Sequence, residues 1–103
     1  MKSRLRRPVH PGDILRRDFM RPWNLNTRRL AKELGLSTHT INAIVHRRRG
    51  VNAGMALRLA RLFGTTPQFW QTWQCRYDLE IAVANIGKRV EQAVLPLGCS
   101  EMP

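Results

Sequence analysis

The sequence predicts an all-α fold of five helices, the last of them extended, arranged around a short pair of helices joined by a tight turn. Three observations carry this. Apolar residues recur at helical spacing along the chain. Start and stop signals bracket those stretches: Asn52 and Thr66-Pro67 open helices, and Gly35 and Gly64 close them. Finally, residues 27–46 satisfy the fixed positional requirements of such a helical pair. At 103 residues the chain holds one domain with a modest core and is too short for two.

Residues 1–9 read as a basic flexible arm, with Lys2, Arg4, Arg6 and Arg7 and only Leu5 and Val9 as apolar punctuation. Such an arm can lie along phosphate, enter a minor groove, or simply aid solubility. A first helix follows from Pro11, whose missing N–H costs nothing in a first turn, to Arg21. Asp13 sets negative charge near the positive end of its dipole. Ile14, Leu15 and Phe19 form the inward stripe, and Trp23 and Leu25 are expected to close the corner after Pro22. Arg16, Arg17 and Arg21 face outward, either as a solvated face or as phosphate contacts.

The organising stretch is TRRLAKELGLSTHTINAIVH, Thr27 to His46. Counted from Thr27, Leu30, Leu34, Leu36, Ile41 and Ile44 occupy places 4, 8, 10, 15 and 18, the inward set of a helix-turn-helix. Ala31 stands where a larger side chain would push the helices apart. Gly35 stands where the backbone must turn through positive φ. Ser37 then sits at the start of the second helix, its hydroxyl placed to accept from a first-turn N–H. Apolar spacing alone would also suit a helical hairpin that merely packs. The outward residues Thr38, His39, Asn42 and His46 tip the balance toward DNA, because they are donors and acceptors with no acidic group among them, a face suited to base edges.

The run HRRRG, His46 to Gly50, is expected to end the second helix at the glycine and to place Arg47, Arg48 and Arg49 beside a sugar–phosphate backbone. Asn52 caps the next helix, about Ala53 to Phe63, with Met55, Ala56, Leu59, Ala60 and Phe63 inward. The last helix runs from Pro67 to about Asn85 or beyond, with a possible break at Gly87 and a frayed end over VLPLGCSEMP. Phe69, Trp70, Trp73, Tyr77, Ile81 and Ala84 make one apolar stripe on it. Leu79, Val83, Ile86 and Val90 make a second, which no later segment can cover, so a two-fold homodimer is expected there. The chain thus divides into the arm (1–9), a helix-turn-helix domain (10–86, motif 27–46) and a dimerisation-linked tail (87–103).

Eighteen Lys and Arg against 7 Asp and Glu give a formal charge of +11, which attracts polyanions, nucleic acid first among them. No apolar run is long enough to span a bilayer, and MKSRLRRPVHPGD lacks the hydrophobic centre of a secretory signal, so a cytoplasmic protein without a membrane partner is expected. Cys75 and Cys99 have no metal-type spacing; Cys75 reads as a small packed residue and Cys99 as a tail thiol. His10, His39 and His46 form no H-E-x-x-H pattern, and the acidic residues are scattered beside arginines. No metal, no cofactor and no catalysis are expected; a nuclease would need a carboxylate cluster that the sequence lacks.

HPGDIL at His10–Leu15, INAIVHRRRGVNAGMALRLARLFGTTPQFW at Ile41–Trp70 and YDLE at Tyr77–Glu80 resemble the HigA-type antitoxins of bacterial toxin–antitoxin pairs, within the phage-repressor-like Xre group. The match spans about Val9 to Ala84. The helix-turn-helix alone fits many regulators, whereas HPG-x-IL together with GT-x-P-x-FW is much narrower. The resemblance implies a lambda-repressor-like domain, a small ribonuclease toxin as partner, and repression of the chain's own operon from the bacterial nucleoid. Where that family usually carries acidic residues or Gln around the first helix and at the start of the second, Arg16, Arg17, Arg21, Arg28 and Arg29 stand here.

The sequence-based expectation is therefore a repressor of double-stranded DNA at an inverted-repeat operator. Ser37, Thr38, His39, Asn42 and His46 would meet bases, and Arg28, Arg47, Arg48, Arg49 and Asn52 would meet phosphates. Two other readings stay open at this point: a stand-alone Xre-type regulator without a toxin, and an interaction module that masks a toxin without specific DNA binding.

Overall fold

The computed structural model describes residues 7–98, and among these it forms five helices and no strand. Residues 1–6 of the basic arm and Cys99 lie outside the described residues. Of the rest of the arm, Pro8 gives its carbonyl to Arg47 and Val9 packs against the core, so both are fastened to the domain.

Helix α1 begins as an α-helix at Pro11–Ile14 and widens into π-helical turns over Leu15–Met20, with Arg21 N–H donating to the carbonyl of Arg16 five residues back. In a regular α-helix, residues five apart point about 140° away from each other. The wider turn brings Leu15 and Met20 inward together, and both are buried. Met20 was not in the expected stripe for this reason. Pro11 and Asp13 stand in the first turn of α1 as expected, and the cap itself, not assigned from the sequence, is His10. Its Nδ1 accepts from Gly12 N–H at 2.8 Å, and the Asp13 carboxylate accepts from His10 N–H at 3.1 Å, a reciprocal capping box.

Helices α2 (Thr27–Leu34) and α3 (Thr38–Val45) form the helix-turn-helix. Leu30, Ala31, Leu34, Ile41 and Ile44 are buried, Leu36 packs on the core, and Gly35 ends α2 at φ 70°. Arg58 on the following helix donates to the Leu34 carbonyl at 2.6 Å and so satisfies one of the free acceptors at the end of α2. Helix α4 (Ala53–Phe63) is capped by Asn52, whose side-chain oxygen accepts from Met55 N–H at 2.8 Å, and is closed by Gly64 at φ 74°. Helix α5 (Pro67–Ala93) is capped by Thr66 and runs without interruption through Gly87, so the expected break there does not occur.

The core is one cluster, from Ile14 and Leu15 through Leu30, Ile41, Ile44 and Leu59 to Trp70. Phe19 joins it through Phe63 and Trp70, with ring centroids 4.8 and 5.1 Å away. Trp23 does not close the corner after Pro22; it stands 68% exposed while Leu25 packs inward. Cys75 also departs from expectation, being an exposed free thiol. On α5 only the first half is covered: Trp70 is buried, Phe69, Trp73, Tyr77 and Ile81 are half-buried, and Ala84 is exposed. No helix among the described residues is long and apolar enough to cross a membrane.

Candidate nucleic-acid interface

The turn between α2 and α3 leaves little freedom in how α3 is held. A Cβ on Gly12 would overlap the Ile44 carbonyl, so α1 approaches the backbone of α3 directly, while Ile41, Ile44 and Val45 key α3 into the core. The opposite face is what remains. Thr38, His39 and His46 are exposed and Asn42 is half-buried, and their spacing of three and four residues sets them on one side of the helix. That face carries no acidic group among the residues of α3.

The five expected base-reading residues are not equivalent. Ser37 spends its hydroxyl on the cap, accepting from Thr40 N–H at 3.1 Å and pairing with the Thr40 hydroxyl at 3.0 Å. His46 lies at the far end of α3, its ring turned back on its own helix with Nδ1 2.8 Å from the Asn42 carbonyl oxygen. Thr38, His39 and Asn42 form no side-chain hydrogen bond among the described residues and stand together toward the N-terminal end of α3.

The basic rim also divides. Arg28 at the start of α2 and Arg48 and Arg49 after α3 are exposed and carry no ion pair among the described residues. Arg29 is tied to Glu33 at 2.8 Å. Arg7, Arg16, Arg17 and Arg21 line a shallow groove beside Asp13. Asn52 keeps its side-chain nitrogen available while its oxygen caps α4.

Arg47 is held differently from its two neighbours. The helix ends at Val45, capped by His46, and the left-handed residue that turns the chain is Arg47 at φ 65°, not Gly50. Its side chain points into the domain, donating from one guanidinium nitrogen to Asp13 at 2.8 Å and from the other to the Pro8 carbonyl at 2.9 Å. The guanidinium carbon lies 5.6 Å from the centre of the Tyr77 ring. With its side chain only 18% exposed and one donor on each terminal nitrogen engaged, Arg47 is turned inward, unlike the exposed Arg48 and Arg49. A run of like charges gave no sign that one of them turns inward.

His10 belongs to the same cluster, 2% exposed, with Tyr77 edge-on at 4.7 Å. Burial holds its imidazole below the ordinary histidine value; Asp13 opposes this, Arg47 adds to it, and Asp78 opposes it. Nδ1 must be unprotonated to accept from Gly12, so the ring is neutral with its proton on Nε2. No three His, Cys, Asp or Glu side chains among the described residues come close enough together to hold a metal ion.

No protein-family model matches the chain. Relatives and solved structures do. The chain is 42% identical over 89 residues to virulence-associated protein I of Dichelobacter nodosus, covering 86% of this chain and 81% of that one. It is 34% identical over 80 residues to antitoxin HigA-1 of Vibrio cholerae, covering 77% and 74%. Among solved structures it superposes on the Pseudomonas aeruginosa antitoxin HigA with its higBA promoter at a TM-score of 0.86, with 44% identity over 88% of this chain and 99% of that one.

Proposed function

Because this chain belongs to the HigA family of helix-turn-helix antitoxins, we propose that it is a dimeric repressor of its own operon that also neutralises a small ribonuclease toxin. The observation that carries the DNA half is the polar face of α3, Thr38, His39 and Asn42, held on a rigid support and flanked by Arg28, Arg48 and Arg49, which are exposed and without an ion pair among the described residues.

In this reading α3 enters the major groove with its N-terminal end leading. Asn42 presents its amide to the N6/N7 edge of an adenine, Thr38 and His39 meet neighbouring base edges, and Ser37 fixes the helix start from which they project. Arg28, Arg48, Arg49 and the amide nitrogen of Asn52 hold phosphates and set the register. His46, at the end of α3, marks the limit of the reading face. A second copy packs on Leu79, Val83, Ile86 and Val90, and the two reading helices then meet an inverted repeat with half-sites roughly 34 Å apart. The chain works by occupancy and carries out no catalysis, and its place is the nucleoid in the bacterial cytoplasm.

Titration of the duplex upstream of its own gene against random duplex of equal length tests this. Asn42→Ala should weaken operator binding by about 1–3 kcal/mol. A module that only masks a toxin would lose nothing. Equal affinity of the native protein for promoter and random duplex at low salt would overturn the repressor reading.

A further inference from the structure

The segment Arg47–Val51 follows the reading helix and carries two of the proposed phosphate contacts, and it is tethered at both ends. At its start, Arg47 adopts the left-handed backbone that L side chains rarely take, and its guanidinium reaches Asp13 on α1, the Pro8 carbonyl and the Tyr77 ring on α5. At its end, Val51 N–H donates to the side-chain oxygen of Gln74 at 2.7 Å, one turn before Tyr77 on the same helix. Gln74 is held in turn by Asp78 at 2.9 Å, and the backbone of Gly50 lies so close on Gln74 that a Cβ there would meet it at 2.8 Å. In between, the N–H groups of Arg48 and Arg49 both fold back on the Ala43 carbonyl, at 2.8 and 3.2 Å, while their side chains stay exposed.

From this arrangement we infer that Arg47 is a positioning residue for operator binding: it straps the loop to α1 and α5, and so fixes where Arg48 and Arg49 meet phosphate, without touching DNA itself. The inference rests on the operator-binding reading above. The chemistry of the strap is specific to a planar fork. Arg47 donates in two directions from one rigid group while its face lies over an aromatic ring, which an ammonium at the end of a flexible stem does not reproduce. Without the strap, Arg48 and Arg49 still find phosphates from a loosened loop, but their ordering entropy must be lost on binding. Affinity falls while the number of neutralised phosphates stays the same.

The salt dependence of affinity separates this from a direct contact, because each neutralised phosphate contributes about 0.9 to the slope of log affinity against log salt. Arg47→Gly is the variant of choice, since glycine takes the left-handed backbone without strain, so the guanidinium contacts are lost together with the rest of the side chain while the turn can keep its shape. Circular dichroism at the assay temperature establishes that it is folded. The expected result is about a tenfold loss of operator affinity, the size of one lost hydrogen bond to a charged group, with an unchanged salt slope. Arg47→Lys should lose nearly as much, and Asp13→Asn should weaken binding although it adds one unit of net positive charge. Arg48→Ala, in contrast, should reduce the slope by about 0.9.

A slope reduced by about 0.9 in Arg47→Gly, full binding by Arg47→Lys, or tighter binding by Asp13→Asn would each overturn the inference. Should the native protein fail to prefer its operator, the repressor reading itself falls, a result that is separate from any of these.

Discussion

The indole Nε1 of Trp70 donates a 2.8 Å hydrogen bond to the hydroxyl of Thr65, in the turn just before α5 begins. Trp70 is fully buried at the meeting point of α1, α4 and α5, so this bond satisfies its one donor where water cannot reach. Replacing Thr65 with Val keeps the shape and removes the acceptor. The expected cost is about 1–3 kcal/mol in chemical denaturation, with Thr65→Ser close to the native protein. Equal stability of Thr65→Val would show that the indole finds another partner.

A second prediction concerns pH. The folded state holds His10 neutral and below its ordinary value, chiefly by burial, whereas the unfolded chain protonates this ring normally. Below about pH 6.5 the unfolded state therefore binds more protons than the folded one, and stability falls as pH drops through that window toward the folded value. His10→Asn keeps a capping side chain that does not titrate. Between about pH 7 and 5 the melting temperature of the native protein should fall more steeply than that of His10→Asn; parallel curves would remove His10 as the cause.

Gly12 offers a test of how α1 sits on α3. The Ile44 carbonyl occupies the space a Cβ would need, and both partners are backbone and cannot rotate away. Gly12→Ala should cost about 3 kcal/mol or more, at the upper end for overpacking. A melting temperature near native would mean that the two helices can slide apart.

The apolar strip on α5 gives a fourth prediction. Leu79 and Val83 are 60% and 67% exposed in the single chain, and Ile86 and Val90 continue the same strip. Sedimentation of the native protein should show dimer, and Val83→Asp should shift it to monomer with a loss of operator affinity. Monomer alone in the native protein at high concentration would refute the two-fold arrangement.

Much of this architecture is legible in the sequence because it rests on positions with little chemical choice. Ala31, Gly35 and Ser37 each answer a local steric or hydrogen-bonding demand, and the starts of α4 and α5 at Asn52 and Thr66 follow the same capping logic. What escaped is set by tertiary partners. His10 caps α1 because burial between Tyr77 and Gly12 leaves it a bare acceptor, which no capping preference foretells. Arg47 is set apart from Arg48 and Arg49 by a backbone angle and by partners distant in sequence, among them Asp13, 34 positions earlier in the chain. Met20 enters the core only because α1 changes pitch.

The length of α5 has one further consequence. Its 27 residues extend about 40 Å, and beyond Ile81 its side chains stand exposed among the described residues. A dozen residues of isolated helix are marginal in water. The far end of this rod is thus shape held on loan: it should persist where copies are plentiful and melt where they are scarce, so that abundance itself becomes a determinant of form.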